Sequence, residues 1–512
     1  MSEPMANTGT DQPTFLPPRE RFWVAVAIVP CGSMQGMDTF AVSVALPIMQ
    51  GSFSATITEI SWVLTSYLVA AAIFMPFFGW ASRKVGRKKL MLITIAGFTI
   101  CTVFVATSNS LIELILYRFA QGIFSAGLNP LSQQVLLAAY PREEHPKAFS
   151  WMSSGRMVGV MLGPILGGFL TEVLDWRWVF WANIPVTIAA FYLVARHIPE
   201  GGIQKTAKFD LFGFICLSIA ILFLQLMLDQ GERNAWFESY MIIGFAALAA
   251  IGTYLFTIHI MTAKNTYVDP RVFLNRDFFI GMVMVFMLGF MIYGMAGLLP
   301  KVVQHHMGHT PMSAGIVMSM RGIGAIVGAT IAGWMLQGKD PRPTVLLGLF
   351  SMAGSMWLLS WLTPETPLIY VSFIVILQGF GIGAFTVPIT ACAFYSLDAN
   401  LRPDGTVMNS LARRLGTSIG ISILVSVLVH HTQSARTSLT EHITAERLRK
   451  LPMPENWDVN EEIGVVQLSR MVDLEAEFLG FLYDFQLMAV IMLCLIPLVL
   501  LMRLEPVKRE SR

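Results

Sequence analysis

Gly155-Arg-Met-Val-Gly159-Val-Met-Leu-Gly163-Pro164-Ile-Leu-Gly167-Gly168 is the passage on which the architecture turns. It lies inside an apolar segment long enough to cross a bilayer. Its glycines recur every four residues, which places them on one helical face. Such a face lets a second helix approach at backbone distance. The Gly-Pro step breaks the hydrogen-bond ladder and lets the helix bend. A small-residue seam with a built-in kink points to a membrane protein that moves, not to a static anchor.

The rest of the chain agrees. Of its 512 residues, 54% are hydrophobic and 13% charged, against about 25% charged in a soluble domain. The composition predicts an all-α polytopic membrane protein. Fourteen segments are long and apolar enough to span, near 22–47, 57–80, 89–108, 111–139, 147–172, 177–196, 209–228, 239–262, 278–302, 312–336, 343–363, 367–393, 406–430 and 481–502. With both termini placed in the cytoplasm, 22 Lys and Arg fall in inner loops and tails and 3 in short outer loops. That bias supports an even number of spans. Residues 1–21 hold Glu3, Asp11 and Glu20 and do not resemble a cleavable signal. The five cysteines all sit in apolar segments without a C-x-x-C pair, which argues for small core residues and against a disulfide or zinc framework.

Charged and polar residues at membrane depth carry the chemistry. Asp38, in Gln35-Gly-Met-Asp38-Thr-Phe, can load and release a proton, or serve as a structural acceptor. Arg118, in the fourth segment, keeps its proton and needs an acceptor, for which Asp38 is the candidate. Their pairing would be either a switch or a permanent tie. Gln35, Asn129, Gln133, Tyr293, Arg321 and Gln378 are expected to line a central substrate cavity, with plain interhelical bonds as the alternative. Arg156 lies in the seam, and Arg321 could meet an anionic group. Arg413 and Arg414 are expected to snorkel to the cytoplasmic interface. Asp229 reads as an interfacial acceptor. Gly79, Gly86 and Arg87 belong to a basic loop, Gly79-Trp-Ala-Ser-Arg83-Lys84-Val-Gly86-Arg87-Lys88-Lys89, that anchors on anionic lipid. His305-His306-x-x-His309 lacks the helix and the Glu of a zinc hydrolase, so no metal is expected there. Loop 431–480 is polar and reads as a solvated outer loop with short surface helices, or as a docking surface. The absence of Walker, G-x-S-x-G and dinucleotide motifs excludes a nucleotide-driven pump in this chain and the common hydrolases.

Taken together, these motifs resemble the major facilitator superfamily, and specifically its fourteen-span drug:proton antiporter family (EmrB/QacA type). Residues 155–168 are similar to the antiporter signature of the fifth helix. Arg118 and Gly122 match the fourth-helix motif, and Met37-Asp38 through Val44-Ala45-Leu46-Pro47 matches the first-helix motif. Trp176-Arg177-Trp178 through Pro185 looks like the join of helices five and six, and Leu228-Asp229 with Trp236-Phe237 like the extra helix pair. Phe40 and Ser43 depart from the usual Thr and Asn, and Arg83 stands where an acid is common, which removes the charge relay through that acid. The resemblance implies two six-helix halves, 22–200 and 266–502, joined by two extra helices in 201–265, with cytoplasmic tails 1–21 and 503–512. It implies a non-enzymatic pump in a bacterial inner membrane that exports hydrophobic drugs in exchange for protons. It implies no cofactor beyond the proton and no nucleic-acid partner. A periplasmic adaptor and an outer-membrane channel join such pumps in Gram-negative relatives, and loop 431–480 is compatible with that docking. The rival readings are a proton-coupled importer of a nutrient or organic anion, and a non-transporting membrane sensor or scaffold.

Overall fold

A computed structural model describes residues 16–200, 209–263, 268–336, 340–398, 400–442 and 462–501. Every regular element among the described residues is helical. In chain order the long helices are α1 (Pro18–Ser52), α2 (Ile57–Val85), α3 (Arg87–Ala106), α4 (Leu111–Ala139), α5 (His145–Val173), α6 (Trp178–His197) and α7 (Leu211–Gln230). They continue with α8 (Tyr240–Thr262), α9 (Arg276–Lys301), α10 (Pro311–Met335), α11 (Arg342–Leu359), α12 (Leu368–Tyr395), α13 (Arg402–His442) and α14 (Glu462–Cys494). Each expected segment falls on one of them. Eleven stretches among the described residues are long and apolar enough to cross a membrane. The other three expected segments lie on α1, α9 and α11.

Local chemistry sets the boundaries. Thr56 and Glu59 form a reciprocal capping box at the start of α2. Ser110 caps α4 by accepting from the Glu113 N–H at 3.2 Å. Gly86, at φ 91°, turns the chain from α2 into α3 in a backbone region that L side chains rarely adopt. α4 is interrupted between Ser125 and Leu128. Pro130 lies just beyond and has no N–H to return to the Ala126 carbonyl, which opens the ladder there.

The glycine seam of α5 faces α1. A Cβ on Gly155 would stand 2.7 Å from Val29 Cα, and one on Gly167 would stand 2.8 Å from the Ala41 carbonyl oxygen. A Cβ on Gly159 would fall on the Ser33 carbonyl, and one on Gly163 would press on Phe40. Gly168 has ordinary room, with Val44 Cγ1 at 3.9 Å. Ser33 Oγ donates to the Gly155 carbonyl at 2.7 Å across the same contact. The other face of α5 meets α10, where Ser319 Oγ donates to the Met161 carbonyl at 2.8 Å.

The apolar core is asymmetric. At the Lys/Arg-rich end one cluster draws Val24, Phe78, Leu131 and Phe149 from α1–α5 and Phe278, Leu336, Phe394 and Met408 from α9–α13. Phe149 and Phe394 stack across this junction at 6.0 Å between centroids. A second cluster runs through α9–α14 and takes in only Phe40, Met157 and Val160 from α1–α5. A third, with Val42, Val63, Leu114 and Phe180, lies wholly within α1–α6 at the opposite end.

Two expectations change. Segment 431–480 is not a loop with short surface helices at its flanks. α13 runs on to His442 and α14 begins at Glu462, and Arg436 Nε joins them through Asp473 at 2.7 Å. Apolar content marks where helices cross a bilayer, whereas polar helical turns continue beyond it. Glu446, Arg447, Arg449 and Glu461 lie outside the described residues. The snorkel expected for Arg413 and Arg414 also fails. Arg413 Nε and Nη1 and Arg414 Nη1 are buried, about three turns into α13. That depth puts the interface beyond the reach of their side chains.

Candidate functional site

The site grows from the way α2 and α4 touch. A Cβ on Gly122 would collide with the Tyr67 carbonyl, so only glycine allows this approach. The close approach brings Arg118, one turn earlier on α4, against α2. Arg118 Nε donates to the Val63 carbonyl at 3.2 Å, and its guanidinium lies 4.4 Å from the Tyr67 ring centroid. Arg118 Nη1 donates to Asp38 Oδ2 at 2.7 Å and to Gln121 Oε1 at 2.6 Å. Gln121 Nε2 donates to Asp38 Oδ1 at 3.2 Å and to Thr102 Oγ1 at 2.9 Å.

The result is a charge pair with side chains 0% and 1% exposed, tied into α1, α2, α3 and α4. Both carboxylate oxygens of Asp38 are occupied. A buried pair repays its desolvation only as far as its remaining groups are hydrogen-bonded; Gln121 meets one oxygen of Asp38 and shares Arg118 Nη1, while Arg118 Nη2 is buried without a partner among the described residues. A proton arriving on Asp38 would cancel the attraction and convert one acceptor into a donor. Sequence reasoning named Asp38 and Arg118 but missed Gln121, Tyr67 and Thr102. Gln121 was open to discovery, since it sits three residues from Arg118 on the same helical face.

The residues expected to line a cavity divide into two kinds. Asn129 Nδ2 donates to Gln35 Oε1 at 2.7 Å, and Gln35 Nε2 donates to the Ser125 carbonyl at 3.2 Å. Gln133 is fully buried and neither amide atom has a hydrogen-bond partner among the described residues. Gln378 Oε1 is buried in the same condition. Arg321 is buried and donates to the Ile292 carbonyl of α9 at 3.1 Å, so it works inside the α9–α10 contact. The Tyr293 side chain lies outside the described residues. Arg156 is half-buried at the α1–α5 seam.

At the Lys/Arg-rich end the basic loop meets α13. A Cβ on Gly79 would stand 2.7 Å from Val407 Cγ2. Arg83 forms an ion pair with Asp404 of α13, and Asp404 Oδ2 accepts from the Asp269 N–H at 3.0 Å. Gln134 Nε2 donates to Thr406 Oγ1 at 3.2 Å beside it. The acid absent from the loop is thus present on α13, and the charges stand in reversed order. Arg87 is half-buried at the start of α3. Asp229 accepts from Thr65 Oγ1 at 3.3 Å and links α7 to α2. His306 is held in a π-turn against Glu477 at 3.4 Å, with Phe478 and Phe481 packed on its ring. Burial pushes its pKa down from the usual value, and Glu477 opposes the shift.

Comparison with known proteins places the chain in a family. Residues 28–421 match the family model described as Major Facilitator Superfamily. The chain is 30% identical over 413 residues to the multidrug export protein EmrB of Escherichia coli (strain K12), covering 80% of each. It is 28% identical over 425 residues to the fatty acid resistance protein FarB of Neisseria gonorrhoeae, covering 82% of this chain and 83% of that one. Its fold is similar to the crystal structure of the human organic anion transporter MFSD10, with a TM-score of 0.63 at 14% identity, over 94% of this chain and 100% of that one. A multi-pass helical bundle, a charge pair at its heart and a family match over most of its length make this chain a transporter that belongs to the major facilitator superfamily.

Proposed function

We propose that this protein exports hydrophobic small molecules across a bacterial inner membrane in exchange for protons. The carrying observation is the buried Asp38–Arg118–Gln121 network. A buried carboxylate and a guanidinium bonded to it form an element with two electrostatic states, set by one proton. The names of the relatives, multidrug export and fatty acid resistance, support apolar or amphipathic cargo.

In this reading the chain crosses the membrane fourteen times with both termini inside. α1–α6 and α9–α14 are the two moving halves, and α7 and α8 are the added pair. The shared cluster at the Lys/Arg-rich end, with Arg83–Asp404 above it, closes the inner face in this state. A proton entering from the open side neutralises Asp38 and frees Arg118. The halves then rock about the α5–α10 contact and expose the centre to the cytoplasm. Cargo binds, the proton leaves inward, and the pair re-forms as the halves return. Gln35, Asn129, Gln133 and Gln378 offer polar contacts to the cargo, and Met and aromatic side chains supply an adaptable wall. The protruding ends of α13 and α14, tied by Arg436 and Asp473, offer a rigid stalk for a periplasmic adaptor.

Proteoliposomes carrying the purified protein and an imposed pH gradient test this. Apolar dyes and antibiotics should move against the direction of proton flow, and Asp38→Asn should abolish the movement at equal protein content. Full-strength movement without a proton difference, or movement along with the protons, would overturn the reading.

A further inference from the structure

α13 carries an ionised group that no ion pair among the described residues neutralises. Arg413 cannot shed its proton, and it stands about 16 Å along its helix, near mid-membrane. Its Nε and Nη1 are buried without a hydrogen-bond partner, and it forms no ion pair among the described residues. The buried carboxylates are not its counter-ions. Asp38 belongs to Arg118, and Asp404 to Arg83. Asp484 on α14 has both oxygens without a partner, so it does not reach Arg413 either.

The surroundings of Arg413 repeat the pattern. One turn earlier on α13, Asn409 is fully buried and both of its amide atoms lack partners. Ser410 Oγ beside it is also buried and unpartnered. Two turns earlier, Thr406 accepts from Gln134 of α4, which brings α4 against this face. Next to Gln134, the amide of Gln133 is buried with neither atom bonded.

Donors outnumber acceptors among the unpartnered atoms: guanidinium Nε and Nη1, two amide NH2 groups and a hydroxyl, against two amide oxygens. A group that satisfies them must bring several acceptor lone pairs and a negative charge. A cationic cargo would add repulsion to a charge already uncompensated. The same end of the bundle carries an apolar cluster that includes Met75, Phe78, Met408 and Leu411. We infer that the face of α13 bearing Asn409 and Arg413, with Gln133 of α4, binds the acidic head of an amphipathic anion, a sulfonate, carboxylate or phenolate on an apolar body. The inference rests on the export reading for its context and narrows its substrate class.

A pair of dyes of nearly equal shape tests it: 8-anilinonaphthalene-1-sulfonate and its neutral parent N-phenyl-1-naphthylamine, with ethidium as the cation. Binding to the purified full chain is read by equilibrium dialysis, and transport in proteoliposomes is read separately. The expected result is preference for the sulfonate. Arg413→Gln should weaken sulfonate binding by about 10- to 100-fold and leave the neutral dye unchanged. Arg413→Lys should retain most of the sulfonate binding, and Asn409→Ala should lose a smaller part. Preference for ethidium or the neutral dye, or an equal loss of all three in Arg413→Gln, overturns the inference. Sulfonate binding without any pH-driven movement would instead count against the export reading and leave the site standing.

Discussion

Arg118 and Arg413 are the same residue in one bundle under different conditions: Arg118 is wholly buried, and Arg413 is half-buried with two buried nitrogens. Arg118 has a carboxylate, an amide oxygen, a backbone carbonyl and an aromatic face. Arg413 Nε and Nη1 are buried with no hydrogen-bond partner among the described residues, whereas Arg118 has one such atom, Nη2. The difference teaches that burial of a charge does not by itself define its role. Where the fold supplies the counter-ion, the charge is held inside the protein; where the described residues supply none, the proposed role is to meet a charge from outside.

The sharpest way to break this comparison is to delete each charge and measure stability. Arg118→Gln strands Asp38 and should cost about 3–5 kcal/mol, read as a lowered midpoint in denaturant unfolding. The double variant Asp38→Asn with Arg118→Gln should recover much of that loss. Arg413→Gln removes an uncompensated charge and should leave stability unchanged or raise it. A large loss in Arg413→Gln would mean that this side chain has an internal partner after all.

The seam offers the next test. Gly159→Leu drives a side chain into the Ser33 carbonyl and should cost about 3 kcal/mol, read as lost monodisperse protein. Gly168→Ala, with 3.9 Å of clearance, should stay within about 0.5 kcal/mol of the parent. Equal effects at both positions would show that the α1–α5 contact is looser than its geometry.

A third test concerns the Lys/Arg-rich end. Arg83→Asp places a like charge beside Asp404 and should loosen that face. Adding Asp404→Arg should restore about 1 kcal/mol or more of coupling. Distances between spin labels across this end read the outcome, and no rescue in the double variant would remove Arg83–Asp404 from the closing contact.

The smallest effect is expected at His306. Its folded pKa is depressed by burial, so the folded state binds its proton less readily than the unfolded chain. The stability it contributes is present above the unfolded value of about 6.5 and falls as the pH drops below it. His306→Gln should flatten the thermal midpoint between pH 7 and 5, and an unchanged slope would assign that dependence to other groups.

Much of this was legible beforehand because membranes simplify the problem. Apolar runs located every long helix, since a lipid-crossing backbone must satisfy its own hydrogen bonds. The spacing of Gly155, Gly159 and Gly163 announced a face for close packing, but not that α1 would occupy it. Asp38 and Arg118 were conspicuous because charges at that depth are expensive. Gln121 was hidden because a glutamine carries no such cost and acquires meaning only from its partners. Arg83 read as a broken motif, and the acid that answers it lies 321 residues away on α13. The snorkel assigned to Arg413 took the apolar run as the start of the helix, whereas α13 begins at Arg402 and puts the residue about three turns in.

Composition and period alone therefore determined that this chain is a bundle of membrane helices with a glycine seam and a few costly charges. That much follows from local rules, because hydropathy and helical spacing are properties of neighbouring residues. Which charges pair and which buried atoms find no partner among the described residues were decided only by the tertiary structure. Those outcomes depend on distances between helices far apart in the chain, where a few ångströms separate a salt bridge from an unanswered charge.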